Sequence, residues 1–342
     1  MRYYAVLALI FLPFLAQAQM QGQSQDWEDR RVFGAAEAAK TLRILSSTDT
    51  SFFAPIIESY IATRPALAVE YLVTGTADLD HVFRQSPDEF DIVISSAMDL
   101  QFKLANDGFA LQLDALSHPD WAQWRKSVFA FTTEPAAIVL NAAAFDGLVM
   151  PKTRQDLIEV LRANSEIFSG KVGTYDIRQS GLGYLFATQD ARASETYWRL
   201  MEVIGSLETQ LYCCSGEMID DLTEGRILVA YNVLGSYATA RAEAEDVLKI
   251  ILPSDFTTTM MRSALVSKRT SEPALAEAFV GHLIQLQSSG EGQDFPLPPL
   301  DAFQNGSGRL SISLEPALMT YLDKLKRQTF IREWESATIQ NQ

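Results

Sequence analysis

Histidine, cysteine and basic side chains are scarce in this chain: three His, two Cys, and 28 Lys plus Arg against 43 Asp plus Glu in 342 residues. So few soft ligands leave no zinc-cluster spacing and no disulfide framework, and no metal is expected. A formal net charge of −15 repels phosphate backbones, which sets nucleic acid aside as a partner. Beyond the N-terminus, no uninterrupted apolar run approaches the roughly 18 residues of a membrane-spanning helix. G-x-S-x-G, H-E-x-x-H, P-loop and G-x-G-x-x-G patterns are all missing, so no catalytic constellation and no cofactor are expected.

What is present is a globular composition, 47% apolar and 21% charged, long enough for one large or two medium domains. The first residues have the layout of a secretory signal peptide. One basic side chain (Arg2) precedes an apolar run at 5–15, and Ala16-Gln17-Ala18 then offers a small-x-small site, so residues 1–18 are expected to be cleaved on export to the periplasm. No cysteine stands at that site, which argues against a lipoprotein. Residues 19–40 read as a polar lead-in.

From there a strand–cap–helix alternation runs along the chain twice. Strands are expected at 42–45, 68–73 and 90–94, then as a long pair at 127–131 and 136–140. The pattern restarts with a helix at 153–167 and strands at 171–177, 209–213 and 227–234. Returning strands at 247–252 and 263–267 precede helices at 273–287 and 315–335. This alternation indicates an α/β protein with mostly parallel sheets. The economical arrangement is two lobes joined by crossing strands, lobe 1 from 41–132 and 238–342, lobe 2 from 133–237.

Open α/β sheets bind ligands at the carboxyl ends of their strands, and here those ends carry hydroxyls, glycine and a few charges. The candidate site residues are Ser47, Thr48, Asp49 and Thr50, then Ser95 and Ser96, then Asp176, Arg178, Ser180 and Gly181, and finally Ser215, Asn232 and Tyr237. Free N–H groups at helix starts are receptive to an anion, although each cap taken singly is also ordinary N-capping worth about 1 kcal/mol. Arg178 is the best cationic partner for an anionic ligand. Asp49 and Asp176 suit a ligand hydroxyl or amine. The vicinal pair Cys213-Cys214 is either a strained disulfide or two reduced thiols, because adjacent Cα atoms about 3.8 Å apart fall below the usual disulfide minimum of about 4.4 Å. His81, His118 and His282 are scattered and form no ligand set.

The strand at 42–48, Asp91-Ile92-Val93-Ile94-Ser95-Ser96, the segment 171–176 and Tyr231-Asn232-Val233-Leu234-Gly235-Ser236-Tyr237 together resemble bacterial extracellular solute-binding proteins of ABC transporters. The match is nearest to the ferric-iron and phosphoglycerate-type branch. The resemblance implies the two-lobed periplasmic-binding-protein fold (type II), closing on one small solute. It implies delivery to an ABC permease or, alternatively, presentation to the periplasmic domain of a sensor kinase, by a monomer without enzymatic activity. Ferric members hold iron with adjacent tyrosines on the strand matching 227–234. Here Tyr231 is followed by Asn232, so a small, anionic organic solute is expected in place of Fe3+.

Overall fold

The computed structural model describes residues 27–35, 37–242, 247–288, 295–301 and 309–340; the expected leader, 1–18, lies outside them. Among the described residues no helix is long and apolar enough to cross a membrane. The chain forms two mixed sheets flanked by helices, and both are built around short parallel cores.

The first sheet begins where only a polar lead-in was expected. Strand β1 (Asp29–Phe33) pairs antiparallel with β3 (Leu67–Val73), which lies parallel to β2 (Lys40–Ser46), itself parallel to β4 (Ile92–Ser95). Strand β1 escapes a periodicity reading because four of its five residues are exposed at a sheet edge. Every residue of β3 is buried, the near-continuous apolar reading of a strand covered on both faces. Its one acid, Glu70, is held by Arg30 (Nε to Oε1, 2.8 Å) and Arg43 (Nε to Oε2, 2.7 Å). Helices α1 (Thr50–Ile61), α2 (Leu79–Gln85) and α3 (Met98–Asn106) follow the three parallel strands. The sheet is completed by β5 (Gln123–Trp124) and β6 (Val128–Ala130).

The chain then crosses through residues 131–133 into β7 (Glu134–Asn141), the hub of the second sheet. Helices α4 (Arg154–Ala163) and α5 (Ser165–Phe168) lead to β8 (Val172–Tyr175); α6 (Gly181–Ala193) and α7 (Thr196–Ser206) lead to β9 (Gln210–Tyr212). Helix α8 (Ser215–Thr223) precedes β10 (Val229–Leu234), which joins β8 and β9 as a second parallel core and runs directly into α9 (Gly235–Ala242).

The expected return of 238–342 to the first lobe requires correction. Strands β11 (Leu248–Ile251) and β12 (Thr257–Met260) pair with β7, and β14 (Arg309–Ser311) pairs with β12. Strand β13 (Ser263–Val266), α10 (Pro273–Ser288) and Leu297 rejoin the first sheet and its core. The expected helix at 315–335 is a 3-10 segment at Pro316–Leu322, packed on α3, followed by α11 (Lys324–Thr338), packed on α7. Asp323 separates the two, its Oδ1 accepting from the Leu325 and Lys326 N–H groups as an N-cap.

Candidate functional site

A cavity of about 580 Å³ lies between the two sheets, at the carboxyl ends of β2, β3 and β4 on one side and of β8, β9 and β10 on the other. The first lobe contributes Glu28, Ser47, Asp49, residues 74–78 and Ser96. The second contributes Tyr175, Arg178, Ser180, Cys213, Cys214, Ser215, Glu217 and Tyr237, and Arg262 lies at the crossing. Its size is that of a small-molecule site.

The strand-end hydroxyls are tied to one another. Ser47 Oγ lies 3.1 Å from Ser95 Oγ and accepts from Ser96 N at 3.4 Å, while Ser95 Oγ accepts from Ala97 N at 3.1 Å. On the facing lobe Tyr175 Oη and Ser215 Oγ are 2.5 Å apart, and Leu234 N donates to Ser215 Oγ at 3.3 Å.

Three contacts draw the lobes together. Thr76, beyond β3, places its Oγ1 against the start of α6, accepting from Gly181 N at 2.9 Å and Leu182 N at 3.3 Å. Ser180 Oγ accepts from Gly183 N at 3.0 Å, so the helix end that looked open to an anion is capped from both lobes. Asp49 N donates to Tyr237 Oη at 3.4 Å, and the Tyr237 ring packs on Phe52 with centroids 4.4 Å apart. Arg262 is fully buried at the crossing. It donates Nε to Glu134 Oε1 (2.9 Å) and Nη2 to Glu134 Oε2 (3.1 Å), and Nη1 to Thr48 Oγ1. Glu134 also accepts from Thr132 Oγ1 at 2.7 Å and from Ser236. The hinge is therefore built around a satisfied ion pair between the first residue of β7 and the link from β12 to β13.

The cleft is acidic. Glu28, Asp49, Asp78, Glu217 and Asp220 line it. Asp220 pairs with Arg241; among the described residues the other four make no ion pair. Burial raises the Glu28 pKa, and the charges of Asp49, Asp78 and Glu217 raise it further, the mark of like charges converging on one space. Burial also raises Asp49, against the Tyr237 hydrogen bond and the Arg262 charge. Neither lining arginine is a free cation. Arg178 grips Asp176 (Nε to Oδ1, 2.8 Å; Nη2 to Oδ2, 2.7 Å) and reaches Glu335 at 3.1 Å; these bonds raise its pKa. Arg262 belongs to Glu134: burial works against the guanidinium, but the Glu134 charge and hydrogen bonds, with Tyr237 and Tyr71, together raise its pKa.

Of the residues expected from sequence, Ser47, Asp49, Ser96, Arg178, Ser180, Ser215 and Tyr237 line the cavity. Thr48, Thr50 and Ser95 are buried just behind the first-lobe wall, and Gly181 is covered by Thr76. Asp176 is turned to Arg178. Asn232 is placed elsewhere: its Nδ2 donates to Asp190 Oδ2 at 3.1 Å inside a buried network with Tyr231 and Arg154. Its φ of +65° marks the bulge where the β10–β7 register shifts. Sequence reasoning missed Arg262, Glu28, Asp78 and Thr76. The segment Thr74-Gly75-Thr76 carried the turn signal of a strand end, while Arg262 follows no cap and offered no signal.

No protein-family model matches the chain, and no curated protein matches it. Solved structures do. The substrate-binding protein of the ABC transporter from Agrobacterium tumefaciens is 31% identical, covering 91% of this chain and 98% of that one, with a TM-score of 0.83. The periplasmic binding protein AfuA from Actinobacillus pleuropneumoniae, solved with fructose-6-phosphate bound, is 14% identical over 88% and 99%, TM-score 0.69. Iron-bound HitA from Pseudomonas aeruginosa is 14% identical over 87% and 99%, TM-score 0.62. The latter two share the fold alone and single out no branch. These neighbours are binding proteins, not enzymes, and the two-lobed fold, the interlobe cleft and the Agrobacterium relative together place this chain in the family of ABC-transporter substrate-binding proteins.

Proposed function

We propose that the protein is exported, closes on a small organic cation in the interlobe cleft and delivers it to an ABC permease. The carrying observation is the set of four carboxylates, Glu28, Asp49, Asp78 and Glu217, that face the cavity without an ion pair among the described residues. A cationic solute relieves their mutual repulsion, and an anion adds to it. The anionic solute expected from the strand-end caps is therefore not carried forward: Thr76 and Ser180 occupy the α6 start, and Asp176, Glu335 and Glu134 neutralise the two arginines. Glu28 Oε1 and Asp78 Oδ2 lie within 3.4 Å of where a Cβ on Gly75 would stand, so this glycine leaves the space in which an ammonium group meets both acids. Nothing in the fold or the cleft favours the sensor-kinase partner.

Closure follows from differential contact: a ligand touching both lobes stabilises the arrangement in which both reach it. A thermal-shift screen tests the reading, with matched amines, quaternary ammonium compounds, neutral sugars, organic acids and phosphorylated metabolites, all in the presence of a chelator. A cation at about 100 times its Kd adds about 2.7 kcal/mol of stability. Melting temperatures raised only by anions contradict the reading. Export is checked by intact mass, the secreted protein beginning near Gln19; a secreted chain retaining residues 1–18 contradicts it.

A further inference from the structure

The second-lobe wall of the cleft carries chemistry that an organic cation does not require. Cys213 and Cys214 follow β9 and open α8. Their Sγ atoms are 2.6 Å apart, and Cys213 Sγ lies 3.5 Å from Glu217 Oε2. One ligand atom from each of the three residues falls within a 4.8 Å span, and all three side chains line the cavity. Asp49 of the facing lobe approaches the same wall, its Oδ2 3.7 Å from where a Cβ on Gly216 would stand. The charge of Glu217 is in turn felt at Glu28 across the cleft.

We propose that Cys213, Cys214 and Glu217 form a site for a thiophilic divalent cation, with Asp49 able to complete it from across the cleft. Two thiolates and one or two carboxylates make a mixed sulfur–oxygen set that suits Zn2+ and softer ions and disfavours Mg2+ and Ca2+. Both cysteines would bind as thiolates, so binding expels both thiol protons to solution. The site goes beyond the solute reading. It occupies one wall of a cavity of about 580 Å³, draws on Glu217 and Asp49 of the acidic set, and leaves Glu28 and Asp78 at Gly75 to the transported molecule. It also departs from the metal-free expectation, which rested on the number of cysteines and not on where the fold puts them.

Cobalt titration of the full-length mature protein, reduced and handled without oxygen, tests the proposal. One equivalent of Co2+ should produce a near-ultraviolet thiolate-to-cobalt charge-transfer band, which Zn2+ then displaces. Cys213→Ser/Cys214→Ser should abolish the band. Glu217→Gln should keep it while weakening affinity at least about tenfold, since even outer partners of a metal ligand are worth that much. Should the double variant fail to fold, alkylation of the native protein decides, Zn2+ slowing modification of both thiols. A reduced protein without the band, a band that survives the double variant, or alkylation indifferent to Zn2+ overturns the site.

Discussion

Arg262 shows how much of the hinge rests on single residues. Its guanidinium and the Glu134 carboxylate are both buried and satisfy one another, so removing one partner strands the other. Arg262→Leu should lower unfolding free energy by about 3–5 kcal/mol, read as a drop in urea midpoint; a loss below about 1 kcal/mol contradicts the role. Asp99, on α3 beneath the 3-10 segment, is a second buried charge, with Oδ1 unpartnered. Burial raises its pKa to about 7, against its own helix N–H groups and the Arg327 charge. The folded protein then keeps a proton that the unfolded chain releases near pH 4, so stability should fall as pH rises from about 4 to about 7 and level off above. Asp99→Asn should remove a few kcal/mol of that slope relative to wild type; superimposable stability–pH curves contradict the assignment. Neither residue was legible in the sequence. Strand-end serines announce themselves by position, whereas an arginine between two strands and an aspartate in a first turn are told apart only by what packs over them.

At the scale of elements, the alternation of strand, cap and helix was legible because each buried strand is a short β-branched run ending in a turn residue. What escaped was β1, a mostly exposed edge, the short strands β12 and β14, and the break at Asp323, where one amphipathic stretch is divided by a cap. The α6 start was misjudged for a related reason: Ser180-Gly181 is a helix cap as read, but its remaining donors are taken by Thr76 of the other lobe, a long-range contact that local pattern does not encode. Gly181 has no room for a Cβ, which would stand 2.7 Å from the Thr76 carbonyl. Gly181→Ala should therefore hold the lobes apart while leaving each folded. Small-angle scattering should show a larger radius of gyration than wild type under ligand-saturating conditions, with an unchanged circular dichroism spectrum. An unchanged radius contradicts the latch. Thr76→Val should lose about 1 kcal/mol, the scale of a removed cap.

For the whole molecule, the two-lobed architecture followed from the doubled alternation, but the route of the C-terminal third did not. Strands β11 and β12 join β7 and β14 joins β12, all through pairings distant in sequence, and α11 docks on α7, while β13 and α10 return. The same fold decides the charge of the cleft. Glu28 and Asp78 come from either side of β3 and meet at Gly75, while Glu217 and Asp49 face them from α8 and the β2 end. The cap pattern pointed to an anion because it registers donors; the acids that converge on those donors are far apart in sequence. The most direct test is calorimetric titration of the best cationic solute into wild type and Glu28→Gln/Asp78→Asn. The expected result is an affinity lower by at least about tenfold, some 1.4 kcal/mol, with a melting temperature for the ligand-free protein at or above that of wild type, since like charges are removed. Equal or tighter binding by the neutralised variant would contradict an acid-lined cleft made for a cation.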